Sequence, residues 1–251
     1  ESYENQRKTV LPGVKVREQD GISVVEVLDA RGEKALGKPV GKYITYRVSP
    51  MAQETQLFDG RLERIADLLR ELLPDHPAGA LVALGPETNL YVLATRHIAG
   101  KLRRALGPLT DVSTVTTGVL GNTGMESAEV VAGMVHTVRP DCVLVVDALA
   151  ASSADRLGTT VQLSNAGIAP GSGVGNHRRE ISARVLGVPV VALGIPTVVS
   201  SRVLGGTAEE MYVTPREIDQ LINRGAKLLG MSINVCLQRH LQPRDLYTLV
   251  G

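Results

Sequence analysis

Between Ala80 and Val146 the chain passes twice through the same cycle of apolar run, loop, amphipathic stretch and proline break. ALVAL (80–84) leads to a helical pattern over Leu90–Leu106 that stops at Gly107-Pro108. VSTVTTG (112–118) leads through a loop at Val119–Met125 to a helix over Ser127–Val138, then Pro140 and the apolar run CVLVV (142–146). Short apolar strands that alternate with helices predict parallel pairing through right-handed crossovers, with both faces of the sheet covered. The expected fold class is α/β, a mostly parallel sheet flanked by helices, in one domain over residues 1–251.

The flanks add to this frame. Three strands are expected between Val14 and Val48, separated by Gly21 and by the turn-rich stretch Gly32–Gly41, and packed onto the rest of the domain. Leu57, Leu62, Ile65, Leu68, Leu69, Leu72 and Leu73 recur at three- and four-residue spacing, so a helix is expected within Met51–Leu73, ended by Pro74. Beyond Asp147 the pattern predicts a strand at TTVQL (159–163), a glycine-rich loop over Asn165–Asn176, a short helix over Arg179–Leu186, and strands at 188–193 and 195–199. Ser200–Met211 is expected to be a mobile loop. Thr214-Pro215-Arg216-Glu217 fits an N-cap opening a long helix toward Arg239.

Composition narrows the function. Lys and Arg number 27 against 26 Asp and Glu, which gives no broad electrostatic footprint for direct nucleic-acid binding. No apolar run is long enough for a membrane-spanning helix. Aromatic residues are 3% of the chain, with no Trp, so the core must be built from Val, Leu, Ile and Ala. The two cysteines, Cys142 and Cys236, sit in apolar contexts and are expected to be reduced core thiols of a cytoplasmic protein.

Carboxylates are the best chemical option. The five histidines show no metal-site spacing, no G-x-S-x-G elbow occurs, and Cys142 lies inside an apolar strand, so no metal or other cofactor is expected. Asp147 ends CVLVV where a buried strand should emerge, and ligands of open α/β sheets bind at such carboxyl ends. Two readings stay open for it: a site residue, or the N-cap of a short helix over Ala148–Ser152. In PGSGVGN (170–176), Gly171, Gly173 and Gly175 allow close backbone approach to a substrate or an anion, although structural glycines or a nucleotide loop would explain them too. Asn176, Arg178 and Arg179 follow and could bind a substrate backbone or carboxylate. In GVLGNTGMES (118–127), Thr123 or Ser127 could cap the helix, and Glu126 could face Asp147 if their strands are neighbours.

Several blocks resemble one family. V-x-x-VDALAA (143–151), TTVQLSNAGIAPGSGVGNHRREI (159–181) and VPVVALGIPTVV (188–199) are similar to consecutive segments of the germination protease. So are residues 16–45, LATRHI (93–98), GVLGNTGMES (118–127) and residues 213–237, in the family's order. The resemblance implies a phosphorylase/hydrolase-like fold similar to that of the hydrogenase maturation endopeptidases. It implies an atypical aspartic endopeptidase of the spore core that degrades small acid-soluble spore proteins during germination. It also implies a zymogen trimmed at its amino end, a homotetramer and no membrane partner; the start of the chain at Glu1 fits that trimming.

In that family two aspartates activate water, one carboxylate taking its proton and the neutral partner polarising the scissile carbonyl. Asp147 matches one of them. The other lies in a segment reading roughly T-P-D-A-L-G-P, and here Ala83-Leu84-Gly85-Pro86 runs directly into Glu87, so that acid has no counterpart. A second shortening falls near Gly205-Gly206-Thr207. Two other readings follow: a metal-assisted peptidase with Asp147 among the ligands, or an inactive homologue that binds spore proteins through the PGSGVGN loop.

Overall fold

The computed structural model describes residues 11–48, 54–85, 88–172, 178–205 and 211–250. Among the described residues nine strands form one mixed sheet in the order β1-β2-β3-β7-β8-β6-β4-β5, with β9 (Tyr212–Val213) paired to β8. The centre is parallel: β5 (Asp111–Thr116), β4 (Gly79–Leu84), β6 (Cys142–Ala151) and β8 (Val190–Ser200) all run one way. The rest is antiparallel. β1 (Val14–Gln19), β2 (Ile22–Val27) and β3 (Gly41–Arg47) form a meander, and β3 joins the centre through β7 (Thr160–Ser164).

The alternation of side chains along β4 and β6 divides the core. Ala80, Val82, Leu84, Cys142, Leu144 and Val146 face one cluster, shared with α2 (Arg61–Arg70), α7 (Ile218–Leu237) and α8 (Pro243–Val250). Leu81, Ala83, Val143 and Val145 face the other, beneath Ala128 and Val131 of α5 (Ser127–Val138) and beside Ile181. Both cysteines are buried and free, and Cys142 and Cys236 share the first cluster.

Local sequence signals were overruled in several places. The helix expected over Leu90–Leu106 shrinks to α3 (Gly100–Leu106), because the preceding backbone is claimed by distant partners. Leu93 N–H donates to Asn234 Oδ1 (2.9 Å), Asn234 Nδ2 donates to Tyr91 O (2.8 Å), and Thr95 N–H donates to Val112 O (3.0 Å). A buried amide that satisfies two backbone groups, with a third taken by Val112, outweighs helix propensity worth a few tenths of a kcal/mol per residue, roughly.

Within the stretch expected to be turns, α1 (Ala30–Leu36) forms instead. Asp29 Oδ1 accepts from Arg31 and Gly32 N–H, and Gly37 closes the helix at φ 64°. The helix expected over Arg179–Leu186 is only α6 (Ala183–Leu186), since Ile181 is taken by a bridge to Ile168. The two strands expected at 188–199 are one strand, β8. α7 opens at Ile218 with Glu217 as N-cap, later than TPRE suggests. In the second α5 approach, α4 (Leu120–Thr123) occupies part of the expected loop. Residues 206–210 of the loop expected to be mobile, and Met51 to Gln53 of the expected helix, lie outside the described residues.

Candidate active site

Asp147 is the centre. The run CVLVV does not end there: β6 continues through Ala151, so Asp147 is a strand residue and not the N-cap of a helix over Ala148–Ser152. The neighbouring strand is what stops. In the parallel register Ala83 is level with Val145, which puts Asp147 level with Gly85, one residue past the end of β4. On the other side β8 stays paired, with Gly194 opposite Asp147. A side chain at Gly194 would bring its Cβ within 2.1 Å of the Asp147 carbonyl oxygen, so glycine is what lets the two strands meet here.

By alternation with Val143 and Val145, the Asp147 side chain stands on the α5 face, at the margin of the second core cluster. It is half-buried. Burial pushes its carboxyl above the ordinary value of 3.8, while the N–H groups of Ala148 and Gly171 and the charge of Arg178 pull it back. Ala148 N–H lies 2.9 Å from Asp147 Oδ1. The glycine-rich loop therefore reaches the acid twice, at Gly171 and at Arg178. Gly171 has φ 75°, a conformation that other residues adopt only with strain.

That loop is fastened at two places. Ile168 and Ile181 exchange two backbone hydrogen bonds, Ile168 N–H to Ile181 O at 2.9 Å and Ile181 N–H to Ile168 O at 2.7 Å, closing its base. The limb that carries Gly171 lies beside Asp147. Glu126 holds the other: its Oε2 accepts from Arg179 N–H at 3.0 Å, and Arg179 also pairs with Glu129 at 3.3 Å. Glu126 is the N-cap of α5, in a capping box where Glu129 accepts from Glu126 N–H at 3.1 Å.

The candidate residues thus separate. Asp147, Gly171 and Arg178 come together. Glu126 caps the helix and anchors the loop through Arg179. Thr123 closes its own turn, its hydroxyl bonding Val119 O and Met125 N–H. Gly173 and Asn176 lie outside the described residues, as does Glu87. Among the described residues acting on Asp147 there is no second carboxylate, and no group of three or more His, Cys, Asp or Glu is gathered anywhere among them. Also among the described residues, no helix is long and apolar enough to cross a membrane. Sequence reasoning missed Gly194 and the strand Ala148–Ala151; the run LGIP after a buried strand was the one signal for the former.

A mixed sheet with a parallel centre flanked by helices makes this an α/β protein, and a half-buried acid beside the end of a parallel strand puts its candidate site at the carboxyl ends of the sheet. The chain belongs to the germination protease family, a family of peptidases, whose sequence profile matches residues 1–208. It is 34% identical to the germination protease of Caldanaerobacter subterraneus subsp. tengcongensis over 310 aligned positions, covering all of this chain and 96% of that protein. With the germination protease of Clostridium tetani the identity is 31%, over 98% of this chain and 95% of the relative. That of Bacillus cytotoxicus is 37% identical over 78% of this chain and 59% of its own length. An alignment of 310 positions against a chain of 251 residues means that the first relative carries internal segments this chain does not have. Among solved structures, the [NiFe] hydrogenase maturation protease HycI of Thermococcus kodakarensis KOD1 aligns with a TM-score of 0.38 at 15% identity, covering 66% of this chain and 99% of HycI.

Proposed function

We propose that this chain is an endopeptidase that degrades small acid-soluble spore proteins during germination, with Asp147 as the group that activates water. The observation that carries this reading is the placement of Asp147: half-buried, with its carboxyl raised by burial above the ordinary value, and faced by Arg178 and the Gly171 N–H. A carboxylate whose pKa is raised is a better proton acceptor when ionised, which suits a general base. Asp147 takes a proton from water as the water attacks the scissile carbonyl, and later returns it to the leaving amine. The charge developing on the carbonyl oxygen needs a partner. In a paired-carboxylate mechanism a second, neutral acid supplies it; here Arg178 is the described cation beside Asp147, and we assign it that part. On the same reading the chain acts in the spore core as a homotetramer derived from a zymogen.

That no second carboxylate acts on Asp147 among the described residues favours one competing reading, an inactive homologue that binds spore proteins without cutting them. A purified small acid-soluble spore protein incubated with wild type and with Asp147→Asn, with products weighed by mass spectrometry, separates the two. Cleavage by the wild type alone, persisting after exhaustive chelation, supports the endopeptidase. Binding without cleavage by either form overturns it in favour of the homologue, and cleavage abolished by chelation supports a metal-assisted reaction instead.

A further inference from the structure

Resting on that reading, we propose that the edge of β6 from Ala148 to Ala151, beside which no strand lies among the described residues once β4 stops, takes the substrate's extended backbone as an added strand. β4 pairs with β6 only as far as Ala83 and Val145 and ends at Leu84, whereas β6 runs on to Ala151, held by β8 on its other side. Which backbone groups face the vacant side follows from two contacts. Val143 N–H donates to Pro189 O at 2.9 Å, just before β8, and the Asp147 carbonyl oxygen lies against Gly194 of β8. Odd-numbered residues therefore turn their N–H and C=O toward β8, and Ala148 and Ala150 turn theirs away from it.

The register shift after Leu149 leaves this alternation intact, because the additional residue, Thr197, belongs to β8. The N–H of Ala148 is bound to Asp147 Oδ1. That leaves the carbonyl of Ala148 and both polar groups of Ala150, with which no strand pairs among the described residues.

Such a row of donors and acceptors is complementary to an extended polypeptide, which is the substrate of a peptidase. A strand added here would lie about 4.8 Å from β6, in line with β4 and beyond Gly85, and its first residues would be level with Ala148, next to Asp147. The scissile bond would then be the one set beside the carboxylate by register. Alanine at 148, 150 and 151 keeps the bordering edge free of bulky side chains. Recognition through the backbone leaves most of the substrate's side chains unread by this edge.

The test is hydrogen exchange of the Asp147→Asn protein, which should bind without cutting, with and without a saturating small acid-soluble spore protein. Exchange at the Ala150 amide is expected to slow by about tenfold or more in the complex, as for an amide that joins a ladder. Ala150→Pro, which removes that N–H, is expected to raise KM by about tenfold with kcat nearly kept, the effect of one lost hydrogen bond. Circular dichroism checks that this variant folds, and the exchange measurement stands without it. Cleavage by the wild type together with unchanged exchange at Ala150 in the complex overturns the edge and leaves the peptidase reading standing. Slowing that appears without spore protein and grows with protein concentration overturns it in favour of a second copy of this chain. Absence of both cleavage and binding overturns the edge and the peptidase reading together.

Discussion

The backbone N–H of Gly171 acts on the carboxyl of Asp147 and lowers its pKa, so the PGSGVGN segment and the acid of β6 share one electrostatic environment. Because Ile168 and Ile181 close the loop base and Glu126 binds Arg179 N–H, neither limb of the loop can shift far without breaking a named contact. The loop thus carries the environment of the acid with it.

The pH dependence follows from that environment. Burial raises the Asp147 carboxyl above 3.8, so the folded state binds the proton more tightly than the unfolded state does. The stability this gives is fully present below the unfolded value and is lost as pH rises through the folded one. Asp147→Asn, which keeps an oxygen acceptor for Gly171 and Ala148, should therefore melt at a higher temperature than wild type at neutral pH, and the gap should close as pH falls below the ordinary Asp range. Calorimetry across pH checks this.

Activity should have the opposite slope. If ionised Asp147 is the base, kcat/KM falls as pH drops through its raised pKa, and the acid limb lies above the ordinary carboxylate position. Arg178→Ala removes a charge that lowers this pKa, so the limb should move further up, whereas Arg178→Lys should move it less. A pH–rate profile for the three forms measures both shifts.

Glu126 separates anchoring from acid chemistry. Glu126→Gln keeps an oxygen for Arg179 N–H and should cleave within about threefold of wild type, as expected when a capping acceptor is retained. Glu126→Ala should cost about 1 kcal/mol of stability in denaturant unfolding, the usual worth of an N-cap, and weaken substrate binding through the loosened loop. A hundredfold or greater loss in Glu126→Gln would instead make Glu126 the second carboxylate, by roughly the factor that removal of an acid–base group costs.

Gly194 should tolerate nothing larger. Gly194→Ala drives a methyl to 2.1 Å from the Asp147 carbonyl oxygen, a backbone atom with no rotamer to yield. A loss of about 3 kcal/mol or more is expected in urea unfolding, at the upper end of overpacking effects.

The thiols should be silent. Burial pushes Cys142 up to about 12 and Cys236 up to about 11, so neither forms thiolate at neutral pH. Native protein should react with a disulfide reagent only at the rate of unfolding, and both thiols should be titrated at once in denaturant.

Much of this was legible in the sequence. The periodicity of Ser127–Val138 gave α5 with its bounds, and CVLVV gave the buried half of β6, because both depend on patterns that local sequence carries. The exposed half of β6 was hidden: alanines have little preference for strands, and what makes Ala148–Ala151 a strand is the partner β8. The non-helical course of Tyr91–Thr95 depends on Asn234, more than a hundred residues away, and no local signal reports such a bond. At the site, Asp147, Gly171 and Arg178 could be nominated from motif and resemblance, but their meeting, and the diversion of Glu126 to Arg179, depend on contacts between residues far apart in the chain, which no local pattern reports.

The meander β1–β3 joins the sheet through a single seam, the five residue pairs between β3 and β7 from Tyr43–Ser164 to Arg47–Thr160. Beyond that ladder the meander is tied by Ile22 and Ile44 in the first core cluster and by the surface pairs Lys42–Glu71 and Arg47–Asp155. Under mild denaturant residues 14–47 are expected to open as a unit while the parallel strands that hold Asp147 remain folded, so Asp147 and the amino-terminal strands should belong to different folding units.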